Sequence, residues 1–127
     1  MTTVLVVNHD LDVADQQADS LRRLGYEVLQ CAGPTAGPCP VLSGRHCPWV
    51  DRADVLLYDV WATGESGGSR QLIEQLRDLH PDIPIVLGAP GMELSWVETQ
   101  GIHRVTPLVG TANRVRLGAA IEEALAT

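Results

Sequence analysis

Three cysteines stand at Cys31, Cys39 and Cys47, with seven residues between each pair, and His46 precedes the last of them. Three thiolates and one imidazole make up a structural zinc set of the Cys₃His type, so Zn²⁺ is one candidate cofactor. The spacing departs from the short C-x₂₋₄-C knuckle of such sites, and a His next to a Cys reaches the same ion awkwardly. Two other readings fit the same residues. The thiols can be small buried groups in an ordered loop, which is favoured because free Cys is commonly buried. They can also form a disulfide or a redox switch, which needs an exposed thiol of low pKa.

A second set of residues with chemical potential follows short apolar runs. Asn8, His9 and Asp10 follow residues 4–7, Asp59 follows ADVLLY at 53–58, Gly88 follows 83–87, and Thr106 follows 102–105. Such runs suit strands buried on both faces of a parallel sheet. Residues 27–30 read as one more short strand. Between the runs lie helical spacings. Leu11, Ala14, Ala18 and Leu21 mark a first helix, which Asp12 can cap and Gly25 can end. Leu72, Ile73, Leu76 and Leu79 mark a helix that stops before Pro81. Residues 93–100 form a short helix closed by Gly101. Leu117, Ala120, Ile121 and Leu125 mark a last helix with Thr111 as its cap.

Residues 31–51 break the pattern. Pro34, Pro38, Pro40 and Pro48 punctuate them, so an ordinary helix is not expected there. A long loop with a short turn around Val41 and Leu42 is the reading, and loops of this length are often functional. Gly64 to Gly68 reads as a flexible connection; its GESGGS stretch lacks the lysine of a phosphate-binding loop. Strands alternating with helices imply right-handed crossovers and a parallel sheet. The expected fold is α/β and flavodoxin-like: a doubly wound, five-stranded parallel sheet of order 2-1-3-4-5, with a Pro/Gly/Cys-rich loop in place of the second helix. Ligands of such sheets sit at the carboxyl ends of the strands.

Length and charge bound the function. The 127 residues suit one domain over 1–127, and net charge is −7, which disfavours a nucleic-acid partner. The nine basic residues are all Arg, so no mechanism here can use a lysine. The longest apolar runs are too short to span a membrane, and the start of the chain does not read as a signal peptide. A cytoplasmic location is the default. No nucleophile elbow and no paired catalytic carboxylates are present, so an enzyme is not expected.

The order of motifs carries a resemblance. VLVVNHD, ADVLLYDV, IPIVLGAP and VTP resemble, in turn, the first, third, fourth and fifth strands of response-regulator receiver domains, the CheY-like superfamily. The similarity covers most of the chain apart from residues 31–51. It implies that Asp59 is the phosphoacceptor candidate and that Mg²⁺ is a cofactor, with Asp10 and Asp59 as candidate ligands. It also exposes departures. Asn8 and His9 stand at the acid-pair positions, with Asp10 next in line. Gly88 stands at the hydroxyl position, where glycine can also permit a tight backbone approach. Thr106 stands at the lysine position, and His103 at the switch-aromatic position. Neutral imidazole and carboxamide are poor Mg²⁺ ligands.

The expected function is therefore an atypical, stand-alone receiver in two-component phosphorelay signalling that works by protein contact. A sensor histidine kinase or an output protein is the expected partner, and a homodimer through the last helix and strand is a further candidate. The resemblance places the contact face on the last helix, the helix at 93–100 and the strand between, with Trp96 as a candidate anchor. The alternative is a redox or metal sensor that uses Cys31, Cys39 and Cys47 on the same scaffold.

Overall fold

Val4, Leu5 and Val6 are almost wholly buried, and the run they belong to forms an interior strand of the sheet. The computed structural model describes residues 2–8, 10–31, 44–59, 66–89, 104–109 and 113–126. Within them the elements run β1 (Thr3–Val7), α1 (Leu11–Arg23), β2 (Glu27–Cys31), α2 (Pro48–Arg52), β3 (Val55–Asp59), α3 (Ser66–Leu79), β4 (Ile85–Ala89), β5 (Val105–Val109) and α4 (Arg114–Ala126). The strands form one sheet of order β2-β1-β3-β4-β5, and every pairing is parallel. This is the expected order.

Side chains alternate across that sheet and build two cores. Leu5, Val7, Leu56, Tyr58, Ile85 and Leu87 face Cys47 and Val50 of the α2 region and Ile73 and Leu76 of α3. Val4, Val6, Val55, Leu57, Val86 and Leu108 face α1 and α4. Two covered faces explain why the strands read as continuous apolar runs. No described helix is long and apolar enough to cross a membrane.

The helix ends show where local reading erred. Asp10, not Asp12, caps α1: its Oδ1 accepts from the amides of Asp12 and Val13 at 3.1 and 3.3 Å. Leu11 is thereby the first helical residue and lies exposed. Gly25 ends α1 as expected, with φ at 97° and its N–H on Arg22 O, while Tyr26 N–H reaches Leu21 O. Those two bonds make a Schellman cap, which favours glycine at the left-handed position. At the far end of the chain, Asn113 caps α4, and its Oδ1 accepts from Arg116 N at 2.9 Å. Thr111 lies outside the described residues. Ala124 rather than Leu125 completes the buried face of α4.

The expectation of a loop throughout 31–51 is corrected at its end. Pro48 opens a single helical turn, α2, because a proline at the first helical position gives up only an N–H that has no partner there anyway. The supposed turn at Val41 and Leu42 lies outside the described residues. The flexible reading of Gly64 to Gly68 is corrected from Ser66 on, where α3 begins; Gly64 and Glu65 lie outside the described residues. β5 lies later than residues 102–105. Arg104 adopts φ 58° just before it, and β5 then passes through Pro107. A proline ends a central strand, but β5 is an edge strand that pairs only with β4, so the missing donor can face outward.

One buried cation ties these elements together. Arg77, in the last turn of α3, is only 7% exposed. Its Nη1 donates to the carbonyls of His80, Pro81 and Ile83 at 3.2, 3.0 and 2.7 Å, and its Nη2 to Arg104 O at 3.2 Å. Replacing Arg77 by Met leaves those carbonyls without a charged donor. The unfolding free energy in urea is expected to fall by about 2–4 kcal/mol. Arg77→Lys is expected to recover little, because one ammonium cannot reproduce the planar fork.

Candidate functional site

The carboxyl ends of the strands form the first place to look. Val7 pairs with Tyr58, so Asn8 and Asp59 stand one step further along their strands. Asp59 is level with Gly88, and Gly88 with Leu108. Asn8 is 1% exposed, its N–H bonded to Cys31 O, and its Oδ1 accepts from Asp10 N at 2.9 Å. Asp10 is exposed and spends its Oδ1 on the α1 cap. Asn8, Asp59 and Gly88 are thus neighbours across three adjacent strands. His9 and His103 lie outside the described residues.

Thr106 is not brought to this row. It pairs with Val86, two residues before Gly88 on β4, which sets it about 7 Å lower along the strand direction. The shift follows from β5 beginning at Val105, so the expectation that Thr106 ends the fifth strand is corrected. Gly88 is also corrected in one respect. Among the described residues, a Cβ added there would meet nothing closer than Tyr58 O at 3.8 Å, an ordinary contact, so none of them demands glycine by close approach.

The cysteine set does not assemble as a ligand cluster among the described residues. Cys47 is buried at 9% exposure, carries no disulfide, and packs in the core beside α3. Cys31 is half-buried against the same core. Cys39 lies outside the described residues. No thiol joins a described group of three metal-ligating side chains.

His46 instead meets two residues that the sequence gave no reason to link. His46 Nδ1 lies 3.7 Å from Asp51 Oδ1, and His80 Nδ1 lies 3.2 Å from the same oxygen. The two imidazole rings meet edge to face at 4.7 Å between centroids. Behind His80, the N–H of Cys47 donates to Nε2 at 3.2 Å. That bond needs a lone pair on Nε2, so the ring proton sits on Nδ1 and faces Asp51. The three residues edge an open cleft of about 410 Å³, shared with Asp54, Asp82 and Pro84. Asp54 precedes β3 and Pro84 precedes β4, so the cleft lies at the amino end of the sheet, opposite Asp59. No periodicity or short motif joins α2 to the end of α3, which explains why the sequence hid this cluster.

No protein-family model matches the sequence, and no curated protein does. Solved structures do match. The receiver domain of NtrX from Brucella abortus is 22% identical, with 98% of each chain covered and a TM-score of 0.74. A response regulator receiver domain protein from Clostridium thermocellum is 17% identical, covering 99% of this chain and 95% of that one, with a TM-score of 0.75. The chemotaxis protein CheY4 of Vibrio cholerae is 18% identical, covering 98% and 99%, with a TM-score of 0.74. The chain has the receiver-domain fold. A longer NtrX structure from Brucella abortus is matched along only 26% of its length, so there the receiver fold corresponds to one part of a larger protein.

Within this receiver fold, the surroundings of His80 shift its protonation. Burial lowers its pKa; Asp51 pulls it back up, and His46 pushes it down. A histidine with a lowered pKa binds fewer protons folded than unfolded. Its contribution to stability is therefore complete above the unfolded value of about 6.5 and is lost as pH falls below that toward the folded value. Urea midpoints measured with chelator present are expected to drop in that window. His80→Gln, which offers Cys47 an acceptor but does not titrate, is expected to flatten the drop.

Gly88 provides a second test. Gly88→Ala is expected to raise stability by about 0.5–1 kcal/mol, because it removes unfolded-state freedom without a clash among the described residues. A loss of stability in thermal unfolding would show that the strand end needs glycine after all.

Proposed function

We propose that the chain is a receiver-type module of two-component signalling that acts by protein contact rather than catalysis, and that its phosphorylation site is incomplete. The observation that carries this reading is the row across the strand ends. Asp59 stands level with Gly88, which offers no hydroxyl, while Thr106 lies two residues short of the row. A phosphoryl group on Asp59 would need a hydroxyl and a cation to report its presence. The absent lysine alone forgoes a charged hydrogen bond of about 1.5–3 kcal/mol. A population shift requires contacts that differ between the two states, and few are on offer here.

Receiver domains commonly use Mg²⁺, which prefers carboxylate oxygens and water. The described donors at this end of the sheet do not fit that ion well. Asn8 is a buried amide whose oxygen faces the Asp10 N–H, and Asp10 points an oxygen at two amides of α1. Asp59 and Asp10 are the candidate ligands under this reading, without the acid pair that would complete a shell. A sensor kinase or an output protein is the fitting partner class. α4 and the free edge of β5 are the proposed contact face, where Val115 is exposed. Trp96 and the helix expected at 93–100 lie outside the described residues.

The test is intact mass after incubation with acetyl phosphate and Mg²⁺, beside an ordinary receiver as positive control. No phosphoryl addition is expected under conditions that label the control. Addition to the wild type that is absent in Asp59→Asn would overturn the incomplete-site reading and make Asp59 a working phosphoacceptor.

A further inference from the structure

We propose that the cleft at the amino end of the sheet binds one divalent transition-metal ion of the zinc class, held by His46, Asp51 and His80. This does not depend on any signalling role of Asp59. The ligand atoms of the three residues all lie within 4.8 Å of one another. Around a tetrahedral ion with bonds of about 2.0–2.1 Å, ligand atoms stand about 3.3 Å apart. The two pairs that share Asp51 Oδ1 stand at 3.2 and 3.7 Å, and the two imidazole nitrogens lie within 4.8 Å of each other. Only small side-chain movements separate this arrangement from a coordination shell.

The donor set selects the metal. Two imidazoles and one carboxylate suit Zn²⁺, Co²⁺, Ni²⁺ or Cu²⁺, whereas Mg²⁺ and Ca²⁺ want more oxygens. His80 is buried at 8% exposure and gives the site a fixed floor, while His46 and Asp51 stand exposed at the rim. The fourth position faces the open cleft, where a water can complete the shell. Asp54 and Asp82 also line the cleft and add negative potential that favours a cation.

Binding requires one proton to move. The ion takes the Nδ1 lone pair of His80 that the ring proton now holds. That proton passes through water to Nε2, so the ring stays neutral. Nε2 then can no longer accept from the Cys47 N–H, and the first turn of α2 must adjust. The site therefore links metal occupancy to the position of α2. Protons compete with the ion at both imidazoles, so affinity falls as pH falls.

The experiment is titration of the purified, chelator-treated full chain with Co²⁺, followed by visible absorption. The expected result is one Co²⁺ per chain with ligand-field bands and no near-ultraviolet thiolate-to-metal band, the ion being displaced by Zn²⁺. His46→Ala and Asp51→Asn alter exposed side chains, so the fold is retained, which circular dichroism checks. Each is expected to weaken Co²⁺ binding by at least about tenfold. Cys31→Ser and Cys39→Ser are expected to leave it unchanged. Absence of Co²⁺ binding, or affinity unchanged by His46→Ala and Asp51→Asn, overturns the proposal. A thiolate band lost in Cys39→Ser also overturns it, by moving the ion to the cysteine set.

Discussion

The guanidinium of Arg77 holds the amino ends of β4 and β5 in relation. It stands in the last turn of α3, where cations are favoured by the exposed carbonyls of the helix end. Its bonds to His80, Pro81 and Ile83 fold the chain over from α3 into β4, and its bond to Arg104 fixes the start of β5. Arg104 O in turn accepts from Ile85 N, and Arg104 Nη1 donates to Asp82 O. The register of β5 against β4 is set at this knot. The row of Asp59, Gly88 and Leu108 at the opposite end of the strands follows from it, with Gly88 three residues after Ile85 and Leu108 four after Arg104. The same knot holds His80 at the floor of the cleft. A charge buried to this degree is costly unless it is hydrogen-bonded, and four carbonyls offset that cost. A chain without lysine solves the problem with the one cation whose fork can serve two directions.

Much of the fold was legible because burial on both faces leaves a strong mark. Residues 4–7, 53–58 and 83–87 could scarcely be anything other than central strands, and their order with the helices left one sheet topology. The misreadings share a cause: each took a residue's local preference as decisive where its place in the fold was. Pro48 read as a breaker and proved to be a helix starter. The fifth strand was read as residues 102–105, yet β5 runs on through Pro107, which is tolerable at a sheet edge. Asp12 and Asp10 are equally good caps by type, and the Asn8 side chain holds the Asp10 amide in the structure.

The candidate sites were legible to different degrees for the same reason. Asn8, Asp59 and Gly88 follow apolar runs, and a parallel sheet puts the ends of its strands side by side. Their juxtaposition was a consequence of the topology. Thr106 failed because its placement depended on where β5 starts, and that is governed by the left-handed turn at Arg104 and its distant partners. The His46, Asp51 and His80 cluster had no such route to detection. His46 was noticed for its cysteine neighbour, yet its partners come from α2 and from beyond α3. The contact exists only once both elements lie on the same face of the sheet.

That shared face gives the two ends of the molecule a physical connection. Cys47, whose amide holds His80, belongs to the same packed cluster as Val50, Leu5, Val7, Leu56 and Tyr58. Tyr58 is the residue before Asp59, and Val7 the residue before Asn8. Close-packed interiors transmit small displacements because they leave few voids to absorb them. A movement of the first turn of α2 therefore presses on the side chains that immediately precede the strand-end row. Packing alone does not make a switch, since coupling needs an element with two discrete arrangements. The bond between Cys47 N–H and His80 Nε2 ties the start of α2 to the residue that follows α3.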